Sequence, residues 1–253
     1  APKGRQPSQA QHQQRRQNNQ QRRSNRPMNP KPYLRSICRH PDWPADDAAF
    51  PFALPAVQTM DRLQFHPDVT FLVGENGSGK STLLEAIAIA WGFNAEGGSQ
   101  NFNFSTVRAH TALHSSLRLV RSARRPSDGF FLRAESFFNV ASKIDELGVN
   151  QRYGITSLHD QSHGESFLAL VMNRFSGHGL YLLDEPEAAL SPTRQLALLR
   201  RMHELIAMGS QFIIATHSPI LMAYPQARIF QFAPDGIAQI AYEDTENYVV
   251  TKQ

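Results

Sequence analysis

The sequence predicts an α/β fold with a mainly parallel core sheet, and two features of the chain support this. Three short apolar strands are predicted at 69–73, 180–185 and 212–216, with helical patterns between them. A glycine-rich loop follows the first strand directly and leads into a helix. Buried strands that alternate with helices are typical of parallel sheets, because each parallel pair needs a crossover connection.

The composition limits the class of protein. The chain has 253 residues, of which 41% are hydrophobic, enough for one large α/β domain or two small ones. No apolar run approaches the roughly 20 residues of a membrane helix and no signal-peptide pattern is present, so we expect no membrane insertion. Cys38 is the single cysteine, which excludes an internal disulfide framework and favours a reducing, cytoplasmic location.

The basic residues are concentrated in the first thirty positions. Residues 1–30 contain seven Lys or Arg and no acid, whereas residues 31–253 contain 19 basic and 22 acidic residues. The tail is rich in Gln, Arg, Asn and Pro, so it is predicted to be disordered, and 31–253 is predicted to form the folded domain. The tail is either a linker or added segment, or a basic arm for an acidic partner or nucleic acid. Direct nucleic-acid binding by the folded domain is not expected.

The remaining elements follow from periodicity and turn residues. In chain order, we predict a Pro-rich irregular segment at 33–65, a helix after the glycine-rich loop that ends near Gly92, a loop at 94–106, strands at 117–121 and 129–135 joined by a polar turn with Pro126 and Asp128-Gly129, helices at 137–153, 167–175 and 192–208, and a closing hairpin around Asp235-Gly236. The pattern contains no internal repeat.

The segment GENGSGKS, 74–81, has the spacing of a phosphate-binding loop, and it lies between a predicted strand and a predicted helix as that motif requires. Its glycines allow backbone angles that turn amide groups toward an anion, and the helix N-terminus adds partial positive charge. Lys80 can reach the β- and γ-phosphates of a nucleotide, and Ser81 offers a hydroxyl to Mg²⁺. The candidate nucleotide-binding residues here are Gly74, Glu75, Asn76, Gly77, Ser78, Gly79, Lys80, Ser81 and Thr82.

Two carboxylates end the second apolar strand, LYLLDE. Asp184 and Glu185 are thereby placed at the carboxyl edge of the sheet, where α/β proteins bind ligands. Asp184 is the candidate Mg²⁺ ligand together with Ser81, and Glu185 is the candidate to orient and activate an attacking water. The alternative is a pair of surface acids that begin the next loop, and the phosphate-binding loop favours the functional interpretation.

A histidine follows the third strand in FIIATHSP. His217 could hydrogen-bond the γ-phosphate or the attacking water, or it could only cap the strand end. The order of the three motifs favours the first role. Lys80, Glu185 and His217 are therefore the candidate catalytic residues.

The order GENGSGKST, SHGES, LYLLDEP and ATHS resembles the ATP-binding-cassette class of P-loop ATPases. It is most similar to the small stand-alone ATPases of the AAA-domain group, which are relatives of the DNA-repair and chromosome-maintenance ATPases. The resemblance extends from about residue 34 to residue 248. It implies ATP and Mg²⁺ as ligands, an antiparallel β element and a small helical insert at about 136–178.

The SHGE segment stands 22 residues before Asp184, where that class carries a serine-glycine-glycine-glutamine signature. The resemblance implies that Ser162 and Gly164 contact the nucleotide of a second copy in a head-to-tail homodimer. His163 and Glu165 depart from the pattern, so the match is partial. The residues alone also fit a capping box, and the two interpretations are compatible.

Other positions match the class less well. Ser191 stands where an aspartate is usual in the loop that crosses the dimer interface. The class also carries a glutamine just before the helical subdomain. Gln100 is too near the P-loop helix for this role and Glu135 has the better topological place, but neither residue is assigned to it. Arg35 and Arg39 lie near the start of the domain, where surface or salt-bridge roles are favoured over a phosphate contact.

The sequence thus predicts Mg²⁺-dependent ATP binding and hydrolysis by a nucleotide-dependent homodimer that drives a separate, unidentified effector protein. Two other functions stay open: the motor subunit of a membrane transporter and a non-hydrolysing, ATP-dependent binding module. The altered signature speaks against the first and Glu185 against the second. A small-molecule kinase is a more distant alternative, because it has less need of a water-activating glutamate.

Overall fold

The computed structural model describes residues 32–44, 49–99, 112–137, 139–140, 142 and 163–252. The basic tail 1–30 and the part of the expected helical insert at 143–162, with Ser162, lie outside these residues, as does Gln100. The predicted extent of the tail and the insert therefore stays a prediction.

The described residues form strands in two sheets. The strands are β1 (Leu34–Arg39), β2 (Arg62–Gln64), β3 (Val69–Gly74), β4 (Leu117–Arg121), β5 (Asp128–Arg133), β6 (Gly179–Asp184), β7 (Gln211–Ala215), β8 (Arg228–Ala233) and β9 (Gly236–Ile240). The larger sheet has the order β5-β6-β7-β3-β8-β9, with parallel pairs from β5 to β8 and an antiparallel β8–β9 hairpin. β2, β1 and β4 form a separate antiparallel sheet. The predicted parallel core with an antiparallel element is confirmed.

Helices connect these strands. They are α1 (Pro55–Gln58), α2 (Lys80–Trp91), α3 (His163–Arg174), α4 (Pro192–Ala207), α5 (Pro219–Met222) and α6 (Glu246–Lys252), and short 3-10 turns lie at Ala112–Ser116, Pro186–Ala188 and Tyr242–Asp244. Within the described ranges, none of the helices has both the length and the apolar character that crossing a membrane would require.

The six-stranded sheet has a hydrophobic core on each face. Alternate residues of one strand point to opposite faces, so Phe71 and Leu72 of β3 enter different cores. One core packs the sheet against α3 and α4. The other packs it against α2 and the three-stranded sheet. The apolar strands are consequently buried on both sides, as their continuous hydrophobic runs predicted.

Helix α2 begins and ends at glycines. Gly79 and Gly92 both adopt left-handed backbone angles, with φ of 99° and 109°. The amide of Gly92 donates to the carbonyls of Ala88 and Ile89, which ends the helix where the sequence predicted. Because α2 lies between two sheets, it is buried around most of its circumference and carries the residues that follow the glycine-rich loop into the interior.

Two predictions about the elements are wrong. The segment 33–65 is not irregular throughout, because β1, α1 and β2 lie within it. β1 is stabilised by pairing with β4, about 80 positions later, which no local pattern reveals. Asp128-Gly129 is not in a turn either, since β5 begins at Asp128 and pairs with β6, while β4 belongs to the other sheet. Arg174, which binds the Asp128 carboxylate at 2.8 Å, helps to fix this start.

Candidate functional site

The glycine-rich loop joins β3 to α2 at the carboxyl edge of the parallel sheet. Its backbone depends on glycine at Gly74, Gly77 and Gly79, whose φ angles are 141°, 79° and 99°. A Cβ atom at Gly74 would lie 2.4 Å from the carbonyl oxygen of Phe232 in the neighbouring strand β8, so this position also has no room for a side chain. The loop therefore has the tight, sheet-anchored shape that the motif predicts.

Lys80 lies inside the loop. Its side chain is 3% exposed, and Nζ donates to the carbonyl oxygens of Gly74 at 2.9 Å and Glu75 at 2.7 Å. Burial lowers the pKa of Lys80, and the nearby carboxylates of Glu185, Asp184 and Glu187 oppose that shift. An ammonium group has three donors, so one remains for a ligand oxygen.

Ser81 and Asp184 meet across the interface between α2 and β6. The Ser81 hydroxyl donates to Oδ1 of Asp184 at 2.8 Å, and Asp184 is 5% exposed. Burial raises the pKa of Asp184 to about 6, although Arg133 and the hydrogen bond from Ser81 act in the opposite direction. A hydroxyl beside a carboxylate fits Mg²⁺, which proteins bind through one or two carboxylates together with substrate phosphates. The described residues contain no cluster of three or more acids, histidines or cysteines that would hold a metal without such a substrate.

Glu185 follows β6 in a strained conformation. Its φ of 48° lies in the left-handed region, which a non-glycine residue seldom adopts. The conformation is held by the backbone, because the Glu185 amide donates to the carbonyl of Ala215 at 2.9 Å. Such strain costs about 1–3 kcal/mol and is found most often at functional sites. The strain places the carboxylate of Glu185 beside His217, with 3.7 Å between Oε1 and Nε2.

His217 is held through its backbone. Its amide donates to Oε1 of Glu187 at 2.5 Å, and its carbonyl accepts from Nδ2 of Asn247 at 2.6 Å. Within the described part of the chain, Nε2 of His217 is buried and makes no hydrogen bond. Oγ of Ser78 in the loop is likewise buried and makes none to the described residues. Buried polar atoms without partners are uncommon and are expected where a ligand supplies the missing contact.

The structure brings the predicted P-loop, carboxylate and histidine residues to one edge of the sheet. This follows from the strand order, in which β7 lies between β6 and β3. Cavities of about 100 and 320 Å³ adjoin the loop at Glu75, and one of about 300 Å³ contains Ser81, Asp184 and Glu185. Thr82, the last residue of the predicted set, lies in the first turn of α2.

Sequence reasoning missed three residues of the site. Arg133 is the last residue of β5, where its Nε lies 3.3 Å from Oδ2 of Asp184. Glu187 and Asn247 hold the backbone of His217. The position of Arg133 at a strand's carboxyl end was a usable signal, because polar residues there face the ligand edge. Asn247 gave no such signal, since its contact depends on how the C-terminal segment folds back.

The assignment of Glu135 to the family's subdomain glutamine stays a prediction, but its surroundings are described. Glu135 lines the cavity that contains Ser81 and Asp184, and its carboxylate lies 3.4 Å from Nη2 of Arg133. Arg39, in contrast, donates to the carbonyl of Met60 at 2.9 Å and lies over the Trp43 ring. Arg35 is exposed on β1.

Gly164 and Glu165 of the signature segment contact residues of their own chain. A Cβ atom at Gly164 would lie 2.5 Å from the carbonyl oxygen of Ala189 and 2.7 Å from Nη1 of Arg194, so this position requires glycine. Glu165 forms an ion pair with Arg194 at 2.9 Å. Ser191 occupies the N-cap position of α4 without a side-chain hydrogen bond. Ser162 lies outside the described residues, so contacts of this segment with a second copy stay a prediction.

Family models match two overlapping parts of the chain. A model described as "AAA domain" matches residues 58–158. A second, described as "AAA domain, putative AbiEii toxin, Type IV TA system", matches residues 119–223. Together these matches contain the glycine-rich loop, the signature segment, both carboxylates and His217.

Curated relatives share part of the sequence. The cytochrome c biogenesis ATP-binding export protein CcmA of Rhodopseudomonas palustris (strain BisB5) is 28% identical over 172 residues, which cover 62% of this chain and 82% of that protein. ABC transporter G family member STR2 of Medicago truncatula is 24% identical over 171 residues, or 60% of this chain. The match spans about a quarter of STR2, 24% of its length.

Solved structures match this chain at lower sequence identity. The SMC head domain from Thermotoga maritima has 16% sequence identity and a TM-score of 0.45, over 83% of this chain and 98% of that one.

Proposed function

The chain is a P-loop ATPase of the ATP-binding-cassette type, and from this premise we propose that it binds ATP with Mg²⁺ at the carboxyl edge of β3, β6 and β7 and hydrolyses it. The observation that carries the proposal is the meeting of Lys80, the Ser81–Asp184 pair and the Glu185–His217 pair at that edge.

Each group has a chemical role in this proposal. The loop amides and the remaining donor of Lys80 bind the phosphates, and Ser81 and Asp184 hold the metal. Mg²⁺ bound there would neutralise charge on the β- and γ-phosphates. Glu185 orients the attacking water and accepts its proton. His217, whose Nε2 is 3.7 Å from the Glu185 carboxylate, donates or accepts a hydrogen bond at the γ-phosphate or the water.

In this proposal, a second copy of the chain covers the γ-phosphate of the nucleotide that the first copy binds. The order of motifs supports a head-to-tail homodimer in which Ser162 and Gly164 of each copy contact the other copy's nucleotide. ATP binding then favours the dimer and hydrolysis releases it, because the nucleotide makes its extra contacts only in the associated state. A separate effector protein would use this change of association.

Association with a membrane transporter is a second candidate function. It is supported by relatives whose names describe ATP-binding export and import proteins, including CcmA and the arabinose import ATP-binding protein AraG 1 of Burkholderia ambifaria. Co-purification of the chain with an integral membrane protein would favour this candidate over an effector that is not in a membrane.

The test compares wild type with Glu185→Gln and Lys80→Ala in ATP binding, phosphate release and size-exclusion chromatography with and without ATP. Wild type should release phosphate, and Glu185→Gln should lose about 10²-fold or more in turnover while it binds ATP and shifts to a dimer. Lys80→Ala should lose ATP binding itself. Unchanged turnover in Glu185→Gln would contradict the role of this carboxylate and favour a non-hydrolysing module, provided that Lys80→Ala still loses ATP binding.

A further inference from the structure

Arg133 is a cation built into the proposed metal site. It ends β5 directly opposite Asp184 in the register of the β5–β6 pair. The guanidinium is 19% exposed, with Nη1 at 2.6 Å from Oε2 of Glu85 and Nε at 3.3 Å from Oδ2 of Asp184. Nη2 lies 3.4 Å from Oε2 of Glu135. One arginine therefore faces three carboxylates.

The two oxygens of Asp184 have different partners. Oδ1 accepts a hydrogen bond from Ser81 at 2.8 Å, and Oδ2 faces Arg133. The contact with Arg133 is an ion pair of 3.3 Å, but Nε makes no aligned hydrogen bond to any of the described residues. Arg133 thus neutralises Asp184 by charge without fixing it by a well-directed bond, which leaves the carboxylate able to turn toward a metal.

The charges that line this cavity explain what the arginine does. Arg133 is the one basic residue among those that line it, and Glu135, Asp184 and Glu185 are its acids. Without the guanidinium, the three acids would give this cavity a net negative charge, which raises the affinity of the Ser81–Asp184 pair for a divalent cation even when no nucleotide is present. An arginine is always charged, and a positive charge a few ångströms from a metal position lowers the affinity for a cation there.

We propose that Arg133 is the counter-ion of Asp184 in the metal-free chain and makes Mg²⁺ binding depend on the arrival of a triphosphate. The negative charge of the triphosphate outweighs the guanidinium, so metal and nucleotide enter together. This assignment rests on the proposed function, which places the metal at Ser81 and Asp184. Arg133 acts through Asp184 and is in this sense a positioning residue.

The direct test measures the affinity of the full chain for Mn²⁺ by electron paramagnetic resonance, with no nucleotide and with a non-hydrolysable ATP analogue. Arg133→Gln should bind Mn²⁺ alone at least about tenfold more tightly than wild type, because a unit charge near the site is removed. The enhancement of Mn²⁺ affinity by the analogue should shrink accordingly. Arg133→Lys should resemble wild type, since it keeps the charge, and Arg200→Gln, which removes an exposed arginine on α4, should not differ from wild type.

A second variant separates the effect of the Arg133 charge on the metal site from the effect of breaking the Arg133–Glu85 ion pair. Arg133→Gln/Glu85→Gln keeps the net charge of wild type and does not leave the Glu85 carboxylate without its partner. It should still bind Mn²⁺ alone more tightly than wild type, because Arg133 lines the cavity and lies 3.3 Å from Asp184, whereas Glu85 does not line it. The double variant decides the question if Arg133→Gln alone does not fold.

The outcomes distinguish this inference from the proposed function. If wild type binds no nucleotide, both fail. If wild type binds the analogue with Mn²⁺ and Asp184→Asn loses the metal, the site is as proposed. The inference is then overturned if the Arg133 variants bind Mn²⁺ alone no more tightly than wild type, or if Arg133→Lys behaves like Arg133→Gln.

Discussion

Two arginine–aspartate pairs lie at opposite ends of the β5–β6 strand pair, and they differ in how well the acid is satisfied. At the amino end, Nη1 of Arg174 binds both oxygens of Asp128, at 2.8 and 2.9 Å. Ser176 adds bonds from its hydroxyl at 2.8 Å and its amide at 3.2 Å, and the Tyr181 hydroxyl adds one at 2.8 Å. Burial by itself would raise the pKa of Asp128, but these donors outweigh it and lower the pKa.

At the carboxyl end the balance is reversed. Among the described residues, Asp184 receives one aligned hydrogen bond, from Ser81, and the unaligned ion pair with Arg133. Burial then dominates and raises the pKa of Asp184 to about 6. A buried carboxylate that has its full set of hydrogen-bond donors stabilises the fold, whereas one that lacks donors is suited to bind a cation. The difference separates a structural acid from a candidate metal ligand on the same pair of strands.

The largest expected effect comes from removing the satisfied acid. Asp128→Ala leaves Arg174, Ser176 and Tyr181 without their shared partner, and the free energy of unfolding should fall by about 3–5 kcal/mol. Chemical denaturation followed by circular dichroism measures this loss. A decrease below about 1 kcal/mol would show that the hydrogen-bond network does not stabilise the fold, and the comparison would lose its structural half.

Removing Asp184, the acid with few donors, should raise the free energy of unfolding, whereas removing Asp128 should lower it. The size of this increase should depend on pH. The folded-state pKa of Asp184, about 6, lies above its ordinary value of 3.8, so the native chain binds more protons than the unfolded chain between these values. The contribution of Asp184 to stability is therefore present below about pH 4 and is lost as the pH rises toward 6. Asp184→Asn removes that loss, so its stability relative to wild type should increase by at most about 3 kcal/mol between pH 4 and pH 7.

Denaturation curves of wild type and Asp184→Asn, recorded without Mg²⁺ or nucleotide across this pH range, test the sign. Parallel pH profiles would contradict the raised pKa. Asp128 should not contribute to the difference in this range, because its lowered pKa makes its stabilisation disappear only below about pH 4.

The smallest expected effect concerns one hydrogen bond of the satisfied acid. Tyr181→Phe keeps the ring stacked on Phe175, with 4.1 Å between centroids, but removes the hydroxyl that binds Asp128 and that also accepts from the Ser176 amide at 2.7 Å. The free energy of unfolding should fall by about 1–2 kcal/mol. Arg200→Gln, which breaks an exposed pair with Glu204, is the control and should change it by less than about 0.5 kcal/mol. Equal effects of the two variants would contradict the importance of burial.

The P-loop and the C-terminal end of α2 were predictable because their signals are local. Glycines with positive φ, a lysine and a hydroxyl at fixed spacing define the loop within eight residues, and the apolar runs before each motif define the strands. The hairpin at Asp235-Gly236 was predictable for the same reason. Helix α3 already includes His163, where the described range resumes, although the helix was predicted from 167, which shows that element boundaries are less well determined.

By itself, the sequence determined the order of motifs and the apolar strands that bring Lys80, Asp184 and His217 to one sheet edge. Only the tertiary structure decided that β1 pairs with β4, that Arg133 faces Asp184, and that Asn247 holds the backbone of His217. The physical reason is the range of the interactions. Backbone conformation and burial patterns are encoded by neighbouring residues, whereas strand register and the partner of a buried charge depend on segments far apart in the chain.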